Sequence, residues 1–165
     1  MTLKSLILTA APGCTLAVAE SLTCGRLQAI VGSESGASAY FLGGITAYTL
    51  EQKVEKLGVD HIHAESVNCV SARVASEMAC GVCHLFGSDL GLATTGYAEA
   101  SPATGVKPPW AYWAIASRTG GNVSVVRQGR LEKNGVNRVQ MQEATASCVI
   151  EELMSFLQGL KKGKL

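Results

Sequence analysis

Charge is scarce in this sequence. Only 16% of its 165 residues are Asp, Glu, Lys or Arg, and the formal net charge is +1. A nucleic-acid binder carries a basic face. Here the only basic cluster is the Lys161–Lys164 tail, read as a solvated terminus, so no nucleic-acid partner is expected. Long apolar runs are also missing. None approaches the roughly 20 residues that cross a bilayer, so no membrane partner is expected. The opening "LKSLILTAAPGC" has a lysine before an apolar run too short for an export signal, and a cytoplasmic location is the expectation. Low-complexity segments, linkers and internal repeats are absent, which predicts one domain over residues 1–165. What is present is apolar: 47% hydrophobic residues and a mean hydropathy of +0.22 exclude a disordered chain and suggest a buried sheet. So few charges to cover the outside also predict a homodimer or a larger homo-oligomer.

Cysteine is not scarce, but its six copies do not form a secreted disulfide framework. Cys14, Cys24, Cys69 and Cys148 stand alone among small or apolar neighbours and read as packed thiols. "CGVC", Cys80 to Cys83, falls near the end of a predicted helix, without the N-terminal dipole that activates redox pairs. His84 adjoins it, but no second pair completes a zinc site, so neither metal nor cofactor is expected.

Turn signals and periodicity then order the chain. Leu3–Ala10 reads as a helix stopped by Pro12-Gly13, and Cys14–Ser21 as a buried strand. "TCGRLQAIVG" reads as a helix capped by Thr23 with Gly32 past its end. "GGITAYT" is a second strand, and "LEQKVEKLG" a short helix closed by Gly58. Val67, Val70, Val74, Met78, Val82 and Leu85 form one stripe, which predicts a helix over Ser66–Phe86. "SDLGLATTG" is a strand running into a loop, and "WAYWAIAS" and "NVSVVRQGRL" are strands joined by "RTGG" as a hairpin. Asn137–Leu160 is a long final helix. The order α-β-α-β-α-α-β-β-β-α predicts a single-domain, three-layer α/β/α sandwich whose mixed sheet is parallel early and antiparallel late.

Ligands in such folds collect beyond the carboxyl ends of strands. Three loops stand out. "AESLTCG" leads from strand to helix, and Ser21, Thr23 and Gly25 offer hydroxyls and backbone N–H groups to a phosphate or carboxylate; the plainer reading is a helix cap. "TTGYAEASPATGVKPP", Thr94–Pro109, is long enough for a functional lid. "SGASAYFLGGITAYTLEQK" holds Ser38 in a turn, Tyr48 at a strand end and Lys53 one turn into a helix. A Ser–Lys pair hydrolyses amides without histidine, and His61, His63 and His84 lie outside these loops. A lysine base must first lose a proton near neutral pH, which costs about 4 kcal/mol from the ordinary lysine range and requires burial or nearby positive charge. By spacing alone, Ser38 and Lys53 read as a turn serine and a solvated lysine.

Taken together the loops resemble one family. "VAESLTCG", "GASAYFLGGITAYTLEQK", "KLGV", "SVNCVSARVASEMACG" and "DLGLATTG" are similar to the successive motifs of the CinA C-terminal domain family, from about Cys14 to Phe156. The resemblance implies a nicotinamide mononucleotide deamidase: an amidohydrolase of a pyridine-nucleotide-like small molecule, needing no metal. It gives Ser38 the part of nucleophile, Lys53 that of base, and Tyr48 that of placing them. It puts Thr95 in the substrate site, with Gly96 of the same Thr-Gly step, and leaves Arg138 as the displaced remnant of a phosphate-pairing segment. The ligand loops depart from the pattern. Tyr97 replaces a small apolar residue, Glu99 a glycine, and "KPPW" the usual lysine-proline-valine-glycine step. A glutamate there is expected to repel phosphate. A different, less phosphorylated ligand and a paralogue without turnover therefore stay open beside the deamidase.

Overall fold

The structure, a computed structural model, describes residues 2–162. Of the lysine-rich tail, Gly163 and Lys164 lie outside these. Helices α1 (Leu3–Ala10), α2 (Arg26–Gly32), α3 (Leu50–Leu57), α4 (His61–Ser66), α5 (Ala72–Phe86) and α6 (Arg138–Lys161) surround five strands: β1 (Leu16–Glu20), β2 (Phe41–Thr46), β3 (Leu90–Tyr97), β4 (Trp110–Thr119) and β5 (Asn122–Glu132). The sheet runs β2-β1-β3-β4-β5. β1 pairs in parallel with β2 and β3, while β4 is antiparallel to β3 and β5. This is the expected three-layer α/β/α sandwich.

Alternation along the strands sorts the two layers. Leu16, Val18, Leu90, Leu92, Trp113 and Ile115 face one core, shared with α1, α2 and α6. Their neighbours Ala17, Ala19, Ala93, Ala114 and Ala116 face the other, shared with α3, α4 and α5. The second face is built from small residues, so α5 packs close to the sheet. A Cβ at Gly91 would stand 2.2 Å from the Ala79 carbonyl oxygen.

The expected Ser66–Phe86 helix starts only at Ala72, and a separate helix that the sequence reading lacked, α4, ends at Ser66. Asn68 and Cys69 take positive φ values of 50° and 60°, and Ser71 caps α5 by accepting the Val74 N–H. Val67 and Val70 therefore leave the stripe, while Val74, Met78 and Val82 remain buried in it. Thr94–Tyr97 belongs to β3 rather than to a loop, and the rest of the segment is pinned by a Ser101–Val106 bridge around a short 3₁₀ turn. The "RTGG" hairpin turns at Gly120 and Gly121, both at positive φ, as a two-residue reversal between twisted strands requires. Among the described residues all six cysteines are free. Burial raises the Cys80 thiol's pKa and pushes those of Cys83 to about 11 and Cys14 to about 12. These are packed thiols, whereas Cys24, expected to be packed as well, is exposed. Among the described residues, no helix is long and apolar enough to cross a membrane.

Candidate active site

The carboxyl ends of β2, β1 and β3 meet at Lys53. This lysine is only 1% exposed, an unusual place for an ammonium. Helix α3 begins at the Thr49 cap, whose hydroxyl accepts the Gln52 N–H, and its first turn brings Lys53 back under the end of β2. Its Nζ lies 3.0 Å from Ser21 Oγ, 2.9 Å from the Ala47 carbonyl and 3.0 Å from the Tyr48 carbonyl. Burial holds the ammonium below the ordinary lysine range, against the opposing effect of Cys69. A neutral lysine has two N–H groups and one lone pair. The two carbonyls take the N–H groups, and the lone pair is then left for the Ser21 hydroxyl.

The hydroxyl beside Lys53 is thus Ser21, not Ser38. The expected Ser38–Lys53 pair is not formed within one chain. Ser38 is exposed in a 3₁₀ turn, Ala37–Ala39, before β2, and Lys53 follows that strand's other end. The six residues of β2 put about 20 Å between the two ends. The fifteen-residue spacing that reads as a motif is a strand traversed once.

The first loop is also used differently. Thr23 does not cap α2: it is fully buried, with its Oγ1 2.8 Å from Thr94 Oγ1. The cap is Glu20, whose buried carboxylate accepts the N–H groups of Gly25, Leu27 and Gln28 at 3.0, 3.1 and 2.9 Å. Gly25 and the helix N-terminus are therefore spent on a carboxylate of the chain itself and are not open to a ligand. Gly25 is instead explained by its φ of 93° at the N-cap.

Two abutting cavities open here, of about 130 and 180 Å³. Ser21, Lys53, Cys69 and Thr95 line the first, and Glu99, Ser101 and Arg138 the second. Leu22, Tyr48, Gly96 and Tyr97 line both. Thr95 is buried, and its hydroxyl donates to the Cys69 carbonyl at 2.7 Å. Gly96 is required by the sheet rather than by a ligand, since a Cβ would meet Ala111 Cα and the Trp110 carbonyl oxygen at 2.5 Å. Tyr97 forms a wall: its ring meets Trp110 edge-on at 5.2 Å, and its hydroxyl accepts from Asn68. Tyr97 and the "KPPW" tryptophan, both departures from the motifs of the resemblance, are thus in contact. Tyr48, 51% exposed, presents its hydroxyl to Arg138 Nη2 at 2.8 Å, and Arg138 Nη1 meets Glu99 Oε1 at 2.6 Å.

Sequence reasoning missed Ser21 as the lysine's partner, Asn68 and Cys69 as lining, and the Glu99–Arg138 pair. The only local signal for Asn68 and Cys69 was a polar break in an apolar stripe. A larger cavity, about 330 Å³, lies at the opposite end of the sheet. Its charged side chains are already engaged, Asp89 with Thr15 and Arg118 with the Ser88 and Cys83 carbonyls. Among the described residues, no group of three or more His, Cys, Asp and Glu side chains is arranged to hold a metal ion.

Comparison with known proteins places the chain. The family model "CinA C-terminal domain" matches residues 3–157. A CinA-like protein of Chlorobium limicola is 36% identical over 87% of this chain and 34% of its own length. One of Mycolicibacterium vanbaalenii is 37% identical over 89% and 34%. The chain thus spans about a third of the length of these curated relatives. The crystal structure of a competence or damage-inducible protein from Enterobacter asburiae superposes with a TM-score of 0.82 at 24% identity, covering 94% of this chain and 93% of that one. The competence/damage inducible protein of Agrobacterium tumefaciens gives 0.80 at 25% identity, covering 94% and 92%. The motif order, the sandwich and these matches agree: the chain belongs to the CinA C-terminal domain family.

Proposed function

We propose that this protein is an amidohydrolase working through a Ser–Lys centre at Lys53. The reference substrate is the one the family resemblance implies, nicotinamide mononucleotide, hydrolysed to nicotinate mononucleotide and ammonia. The observation that carries the reading is the buried lysine aimed at a serine hydroxyl at 3.0 Å. Neutral Lys53 takes the Ser21 proton as Oγ attacks the carboxamide carbon. The C–N bond then breaks, and the lysine ammonium returns the proton to the departing nitrogen, which leaves as ammonia. Water, deprotonated by the same lysine, attacks the acyl-serine ester, and the ammonium returns that proton to Ser21 Oγ as the C–O bond breaks and the acid leaves. Ser38, which the resemblance makes the nucleophile, enters this scheme only if a second copy of the chain carries it to Lys53.

Ammonia release from nicotinamide mononucleotide and from nicotinamide riboside tests the reaction. Wild type is expected to release it from at least one of them, and Lys53→Met to lose at least about a hundredfold in rate. No release from either amide sinks the hydrolase reading. Ser21→Ala and Ser38→Ala then identify the nucleophile by the larger loss. If that is Ser38→Ala, mixing it with Lys53→Met must restore activity, because only a shared site joins the two intact residues.

A further inference from the structure

The sequence offers two places near Lys53 where an anion could be held, the N-terminus of α2 and the guanidinium of Arg138. Each is filled by a carboxylate of the chain. Glu20 takes three N–H groups at the start of α2. Glu99 takes Nη1 of Arg138 at 2.6 Å, and Tyr48 Oη takes Nη2 at 2.8 Å. A third candidate, the start of α6, is closed by its own capping box, in which Asn137 and Gln140 satisfy each other's backbone N–H groups. Among the described residues, Arg138 is the only cation lining its cavity and Glu99 the only anion, so the pair adds no formal charge to it. A phosphate monoester arriving there carries nearly two negative charges. It must compete with Glu99 for the guanidinium and lie beside that carboxylate.

From this we propose that the site selects against phosphorylated ligands and takes a neutral carboxamide, free or carried on a nucleoside, with Glu99 as the specificity-determining residue. The inference rests on reading the paired cavities as the substrate site, and it narrows the substrate class of that reading. Glu99 pairs with the guanidinium an anion would seek, and Tyr97, braced on Trp110 and Asn68, fixes the strand end from which Glu99 follows.

Titration with inorganic phosphate, followed by NMR on the Arg138 side chain and the Gly96 amide, tests the anion step without any turnover. Glu99→Gln keeps the side chain's shape and removes its charge. It is expected to respond at phosphate concentrations at least about fivefold below those that affect wild type, the factor appropriate to one partly exposed charge. Adding Arg138→Met to Glu99→Gln must abolish the response. Equal responses in wild type and Glu99→Gln, or no response in either, overturn the proposal. In turnover, wild type is expected to favour nicotinamide riboside over the mononucleotide in kcat/KM, and Glu99→Gln to lower KM for the mononucleotide by about fivefold. A wild type that prefers the mononucleotide tenfold or more also overturns it. If phosphate behaves as expected while neither amide is hydrolysed, the reaction proposed above has failed and the anion selectivity stands.

Discussion

Lys53 has to satisfy three neighbours in either charge state. As an ammonium it donates to Ser21 and two carbonyls; as an amine it keeps the carbonyls and accepts from Ser21. Burial favours the amine, so the fraction able to act as base is present at lower pH than for a solvated lysine. The rate should therefore rise with pH and level off, with a midpoint below the ordinary lysine value of about 10.4. A kcat/KM profile checks this, and a midpoint at or above that value would remove Lys53 from the base's role. From spacing alone Lys53 reads as a solvated lysine, and the fold buries it instead; only the family resemblance singled it out. Its partner was not legible either: fifteen residues of separation say nothing about which end of a strand each side chain occupies. Glu99 was legible as a charge out of place, but its pairing with Arg138 spans thirty-nine positions and depends on the tertiary fold.

At the scale of elements, α2 is a seven-residue helix that depends on one buried carboxylate for its start. Glu20→Ala orphans three N–H groups and should cost about 2–4 kcal/mol, with Glu20→Gln intermediate, read as a shift in the midpoint of denaturant unfolding. Equal stability of wild type and Glu20→Ala would mean that water replaces the cap. The layer of small residues under α5 gives a second test. Gly91→Ala pushes a methyl into the Ala79 carbonyl and should destabilise by about 1–3 kcal/mol, whereas Gly105→Ala, where a Cβ meets no neighbour, carries only the penalty of its left-handed backbone. Most elements were legible because strand alternation, helix caps and the hairpin glycines are local signals. The break between α4 and α5 was not. Asn68 and Cys69 carry the chain through left-handed backbone without glycine, so an apolar stripe of the right period continued across a real boundary. Thr23 likewise looked like a cap because its type suits one; its hydroxyl was claimed instead by Thr94 on the neighbouring strand.

For the molecule as a whole, the low charge content points to assembly, and a homodimer or larger homo-oligomer is expected at micromolar concentration. Sedimentation as a monomer would contradict it and would also remove any route for Ser38 to reach Lys53. Within one chain, the Lys53 cavity and the Arg138 cavity are joined through Tyr48. Its carbonyl grips the lysine while its phenol touches the arginine. A ligand that drags Arg138 out of place therefore pulls on the loop that steadies the base. Under the proposed reaction, discrimination and speed would share one mechanical joint, and a poorly matched guest would be penalised twice: first in its grip on the cavity, then in the pace of its own cleavage. Tyr48→Phe, which cuts the phenol and spares the carbonyl, would uncouple the two.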